Sequence, residues 1–333
     1  THANILQLAK PYTEKLYTPL HEAPSIDDVF IKAQDDINAA RRKNSEQEYP
    51  IDLRELTQEE QYSIIEDSLT RAADIESAAR NPQRWNNLKQ IAGNTALVVD
   101  LSAPGTYLRP RKNDRYAQFN WAYNMDRQRA DTAAIVGIQI AGTQTDQDFS
   151  IFTHEELLGF NPALKTLRAQ TKQSITDSGL RFLYLSRAKP PNEVDAIKLD
   201  EAGAINKVIH SDDSFIPPEQ VDVIAEGDNT VDQVKVLKKY LKENLQSESN
   251  PNGFLKPGSA IVFVMGPQAI RTFANTAQFN AIPPELDVYL FPTPTPQSGF
   301  SEYVTMETKG RLVYTMRQEA AMQLSTYTLL GAK

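Results

Sequence analysis

Apolar positions along this chain follow two rhythms, one of short continuous runs and one of helical stripes. Ala260-Ile-Val-Phe-Val-Met265 is an unbroken apolar run that stops at Gly266-Pro267, the pattern of a strand buried on both faces of a parallel sheet. Pro267 suits the first turn of a helix over Gln268–Asn275. A strand turning sharply into a helix N-terminus presents backbone N–H groups to an anion. Four further runs predict strands: Thr95–Leu101, Leu180–Ser186, Val221–Ile224 and Leu286–Phe291.

The first ~90 residues carry helical stripes and no strand pattern. Ser25 caps one stripe (Val29, Phe30, Ala33, Ile37), and Thr57-Gln-Glu-Glu60 has the form of a capping box ahead of Ile64, Ile65, Leu69, Ala72 and Ala79. Asn81-Pro82 ends or interrupts that helix, and Trp85, Leu88 and Ile91 continue a shorter one. Between the strands, helices are predicted over 126–141, 153–158, 162–176, 193–201, 230–241 and 302–330. Within the first of these, Ile135–Ile140 also fits a strand. Residues 247–258 read as a polar Pro/Gly/Asn loop.

Strands alternating with helical crossovers predict an α/β fold, a Rossmann-like, mostly parallel sheet with helices on both faces. A helical region over 1–92 precedes this domain, which spans 93–333.

Composition narrows the function. The 333 residues carry a net charge of -8, so no basic excess exists to neutralise the phosphates of nucleic acid. Cysteine is absent, which excludes disulfides and thiolate chemistry. No apolar stretch approaches the ~20 residues that span a bilayer. These features, with no signal-peptide pattern, predict a cytoplasmic protein without an integral membrane segment; a removed leader is left open, and so is the oligomeric state. The four histidines (His2, His21, His154, His210) are scattered, so no metal site is predicted. Asp35-Asp36 and Asp212-Asp213 lack the spacing of a calcium loop. No Walker loop, dinucleotide fingerprint or nucleophile elbow is present, and no cofactor is assigned.

What remains is position. Ligands of open parallel sheets bind beyond the carboxyl ends of the strands. Four loops lie there: Ser102–Tyr107, Ser186–Glu193, Glu226–Asn229 and Gly266–Gln268. The candidate ligand contacts are Ser102, Thr106, Ser186, Glu193, Asn229, Thr230, Gly266 and Arg271. Asn229 and Thr230 cap the following helix, with or without a ligand contact. Arg271 reaches an anion or pairs with a carboxylate. Asp100, a carboxylate within a buried strand, is either hydrogen-bonded structure or a site acid. Asp100 and Glu193 are the candidate bases if a reaction occurs.

Three of these segments resemble the YdcF/SanA/ElyC-like family, bacterial proteins with a Rossmann-like domain. Leu183-Tyr-Leu-Ser186 followed by Glu193 is similar to the family's strand ending in Ser-Gly-Gly with a downstream Glu. Glu226-Gly-Asp-Asn229-Thr230-Val-Asp232-Gln233 is similar to its Glu-x-x-Ser-x-Asn-Thr-x-Glu-Asn segment. Val262-Phe-Val-Met-Gly266-Pro-Gln-Ala-Ile-Arg271 resembles its strand ending Thr-Ser-x-x-His-x-x-Arg. The resemblance covers roughly residues 94–330. It implies a small anionic or nucleotide-like ligand, S-adenosylmethionine or a phosphorylated envelope precursor, at the carboxyl edge. The departures lie in the polar positions: Met265-Gly266 replaces Thr-Ser, Ala269 takes the histidine position, and Ser186-Arg187-Ala188 replaces Ser-Gly-Gly. They open a second expectation, a non-catalytic interaction protein that keeps the fold with a degenerate site. Its contact surface would be the N-terminal helices or the aromatic loop Tyr116–Tyr123.

Overall fold

The computed structural model describes residues 77–101, 121–149, 164–186, 214–226, 230–266 and 269–294, with isolated positions between 42 and 75. Residues 121–128 and a few positions of the last helix are described by backbone alone. The chain forms two compact units. One comprises Ala78–Met265 and Phe279–Thr293, the other Thr1–Ser77, Gly266–Gln278 and Pro294–Lys333.

The first unit is built on β1 (Thr95–Leu101), β2 (Arg181–Leu185), β3 (Val221–Ile224), β4 (Ala260–Met265) and β5 (Asp287–Pro292). Every pair is parallel, in the order β3-β2-β1-β4-β5. The fold is a Rossmann-like α/β sheet. Its order reverses between β1 and β4, so the topological switch point, where such sheets hold ligands, lies at the carboxyl ends of those two strands.

The pleat sorts side chains onto two faces. Val98, Phe182, Tyr184, Val262 and Val264 share one face and pack with Ala130, Ala133, Ala134, Ile138 and Ala141 of α2 (Trp121–Gln144). Small residues on the helix let it lie close to large ones on the sheet. At Gly137 the approach is closest, since a Cβ there would stand 2.1 Å from Cζ of Phe182. Residues 129–138 of α2 are buried around the whole circumference. That burial explains the double reading of Ile135–Ile140: a helix covered on every side has no polar stripe to reveal its period. The structure decides for helix, and extends it so that Trp121–Tyr123, expected in an aromatic loop, belong to it.

Two shorter helices join this layer. Asn81 Oδ1 accepts the Gln83 N–H at 2.9 Å and opens α1 (Gln83–Ile91). There the Trp85 ring lies 4.7 Å from that of Phe291 in a tilted arrangement, and Arg84 donates to the Pro292 carbonyl at 2.6 Å while lying over both rings. Burial, and then the charge of Arg80, lowers the Arg84 pKa. Helix α3 (Lys165–Ser178) stops at Gly179, whose φ of 69° is left-handed and suits a residue without a Cβ.

The opposite face carries Asp222, because its neighbours Val221 and Val223 pack on the α2 side. Tyr240 of α4 (Thr230–Asn244) donates to Asp222 Oδ2 at 2.6 Å, which places α4 over this second face. Its buried Val234, Leu237 and Leu241 repeat at helical spacing. Residues 247–258, expected as a plain polar loop, instead contain short bridges, Leu245 with Leu255 and Ser247 with Asn250. The Asn250 amide fastens them by donating to the carbonyls of Glu243 and Leu245 at 2.8 and 3.1 Å.

In the other unit the predicted capping box is present. Thr57 N–H and Oγ1 donate to the Glu60 carboxylate at 2.9 and 2.7 Å, and the Glu60 N–H returns to Thr57 Oγ1 at 3.3 Å. Helix α5 (Ala269–Gln278) belongs here too.

Candidate functional site

Buried polar side chains gather where β1 and β2 approach their carboxyl ends. Asp100 stands opposite Tyr184 in the β1–β2 ladder and opposite Val264 in the β1–β4 ladder. By alternation it faces α2, as Tyr184 does. Tyr184 is 1% exposed and Asp100 4%. From above, α2 contributes the Ala130 carbonyl, which accepts the Tyr184 hydroxyl at 3.3 Å, and Asp131, equally buried.

Burial above all, and then the negative charges of Asp100 and Asp131, hold the Tyr184 phenol well above its ordinary pKa. The phenol therefore stays protonated, with its one hydrogen already given to a carbonyl. A carboxylate taken out of water costs several kcal/mol unless it is paired, and Asp100 and Asp131 both make interactions within the fold. Arg129 of α2 and Arg168 of α3 are the buried cations of the same layer, and Arg168 lies 5.3 Å over the Phe215 ring.

Ser186 completes the set. Its amide continues the ladder by donating to the Ile224 carbonyl at 3.0 Å, so its side chain emerges on the face of Phe182 and Tyr184. It is fully buried, and among the described residues its hydroxyl has no hydrogen-bond partner. A buried polar atom left in that state costs about 1–3 kcal/mol.

The other expected residues divide in two groups. Thr230 is half-buried as the first residue of α4. Gly266 is buried just after β4 and accepts the Ala269 N–H at 3.0 Å. Arg271 lies on α5, its side chain outside the described residues. Gly266 and Arg271 fall in the second compact unit, Ser186 and Thr230 in the first. Ser102, Thr106, Glu193 and Asn229 lie outside the described residues, as do the Glu193–Glu201 helix and most of the three loops that carry these positions.

Of these buried polar residues the sequence reading named Asp100 and Ser186 and did not name Tyr184 and Asp131. The signal for Asp131 was a charge set among alanines in an apolar helix. Nothing local marks Tyr184, because its role depends on the register that sets it beside Asp100. Among the described residues no three metal-ligating side chains come together, and no helix is long and apolar enough to cross a membrane. Compared with known protein families, with curated proteins and with solved structures, the chain finds no match.

Proposed function

We propose that this chain binds a small anionic or nucleotide-like ligand at the carboxyl edge of its sheet, beside the β1–β4 switch point, as the resemblance to the YdcF/SanA/ElyC-like family implies. What carries the reading is the sealed group of Asp100, Tyr184, Asp131 and Ser186. Its strand members stand near the ends beyond which ligands of such sheets sit, and among the described residues the Ser186 hydroxyl has no hydrogen-bond partner. Asp100 and Asp131 are the carboxylates of this group, the residue type of a general base. S-adenosylmethionine and phosphorylated envelope precursors are the ligand classes in view.

A thermal-shift screen of nucleotides, S-adenosylmethionine and sugar phosphates tests the reading, since a ligand bound by the native state raises its stability by RT ln(1 + [L]/Kd). A rise in Tm that Asp100→Asn diminishes supports it. A flat response across the panel sinks it.

One observation favours a second reading, an interaction protein with a degenerate site. At the end of β4, Met265 is fully buried and apolar, where the family pattern carries a hydroxyl residue. A flat screen combined with self-association in light scattering would favour this alternative.

A further inference from the structure

Asparagine followed by glycine occurs once in this chain, at Asn252-Gly253. Glycine has no side chain to shield its amide nitrogen, which leaves that nitrogen able to attack the side-chain carbonyl of the asparagine before it. The pair closes the turn Asn250–Gly253, where the Gly253 N–H donates to the Asn250 carbonyl at 3.2 Å, the long end of the ordinary range. Gln246 Nε2 donates to the Pro251 carbonyl at 2.9 Å. The Asn252 side chain, by contrast, is exposed. Asn250, in the same turn, is followed by a proline, which has no N–H to attack with.

Packing requires the glycine. A Cβ on Gly253 would stand 2.6 Å from the Asn244 oxygen, the Gln246 nitrogen and the Leu245 carbonyl carbon, all of them backbone. Gly253 is thus wedged against the C-terminus of α4, and the residues after it fasten the same place. The Leu255 N–H donates to the Asn244 carbonyl at 3.0 Å, and the Gln246 N–H to the Leu255 carbonyl at 2.7 Å.

We propose that Asn252 is a deamidation site whose conversion unclasps residues 250–255 from the end of α4. The Gly253 nitrogen bonds to the Asn252 side-chain carbonyl carbon, the bond to the side-chain nitrogen breaks, and ammonia leaves with the proton from Gly253. Water, the only co-reactant, then opens the cyclic imide at either carbonyl, to aspartate or to isoaspartate. Both products place a negative charge beside a helix C-terminus, where the dipole disfavours it. Isoaspartate also adds a methylene to the main chain, directly before a glycine packed against backbone.

The test ages the full chain beside its Asn252→Gln variant in mildly alkaline buffer, followed by peptide mapping with mass spectrometry and by hydrogen exchange. Glutamine closes such a ring far more slowly, and Asn252→Ser serves as a second unreactive control. Expected is amide-to-acid conversion at Asn252 several-fold faster than at the other asparagines of the described residues, with isoaspartate among the products. The Gln246 and Leu255 amides then lose protection in the aged parent and keep it in the aged variants. Conversion at Asn252 no faster than at those other asparagines overturns the site. Full conversion with the protection of Gln246 and Leu255 unchanged overturns the unclasping while leaving the site standing. Equal loss of protection in the aged variants traces the loosening to another change and overturns the unclasping too.

Discussion

The two ends of the sheet treat their polar groups in opposite ways. At the amino end, Asp222 is shared by Tyr240, at 2.6 Å, and Arg181, at 3.4 Å, and its side chain remains about one-third exposed. The Gln144 amide bridges the carbonyls of Ala92 and Thr95 at 2.8 and 2.7 Å. Arg181 Nε lacks a partner there, yet its guanidinium still reaches Asp222 and lies 5.1 Å over the Phe254 ring. At the carboxyl end Asp100, Tyr184 and Ser186 are sealed, and among the described residues the Ser186 hydroxyl has no hydrogen-bond partner. Polar groups at the first end tie helices and loops to strands. At the second the Ser186 hydroxyl, without a hydrogen-bond partner among the described residues, sits at a cost to stability.

Substitutions can break or sharpen this contrast. The largest effect belongs to Gly137→Ala, which drives a methyl into the Phe182 ring; overpacking of this kind costs about 1–3 kcal/mol or more. Urea denaturation should show that loss, and adding Phe182→Leu should recover part of it. Full stability in the single variant would mean that α2 does not lie directly on β2.

Asp222→Asn comes next. It removes the charge that Arg181 faces and weakens the Tyr240 bond, for a loss of about 1 kcal/mol once solvent screening of the exposed pair is allowed for. No change in the denaturation midpoint would make the amino-end tie dispensable.

The two tyrosines compare the ends within one titration. Burial first raises both phenols; for Tyr184 the charges of Asp100 and Asp131 add to it, for Tyr240 the hydrogen bond to Asp222. Their protons leave the unfolded chain near pH 10 but stay on the folded one. Stability therefore holds below about pH 10 and falls above it, by about 1.4 kcal/mol per pH unit for each phenol kept protonated. Tyr184→Phe and Tyr240→Phe should each flatten that decline by one such contribution. An unaltered slope in Tyr184→Phe would show that its pocket admits solvent.

The smallest effect lies outside the sheet. Glu60 accepts two bonds from Thr57, and the side-chain bond above all holds its carboxyl below the ordinary value. Its support of the helix start is present above the usual glutamate range and fades as pH falls through the lowered value. Thr57→Ala should bring the Glu60 titration, followed by NMR, back to the ordinary value.

Much of this fold was legible in the residues. Short runs rich in apolar residues marked β1 and β3 at their observed limits and the other strands within a residue. A strand buried on both faces needs no long-range information to be recognised. Helix α2 was legible only in part, because its all-round burial hides the period that distinguishes helix from strand. The site was less legible still. Asp100 stands out as a charge in an apolar strand, whereas Tyr184 and Asp131 matter only because register and the seat of α2 bring them to it. The family resemblance pointed to loops beyond the strand ends; the described group lies one layer beneath them.

The strand order has a consequence for how the molecule forms. Asp100 pairs with Tyr184 on one side and with Val264 on the other, so the central strand is made early and flanked late. Closing such distant contacts loses chain entropy before packing returns it, which slows folding. Until Ala260–Met265 has left the ribosome, β1 has an unpaired edge of Leu97, Val98 and Val99, a template for wrong pairing. A nascent chain halted between β3 and β4 is thus the species most in need of a chaperone.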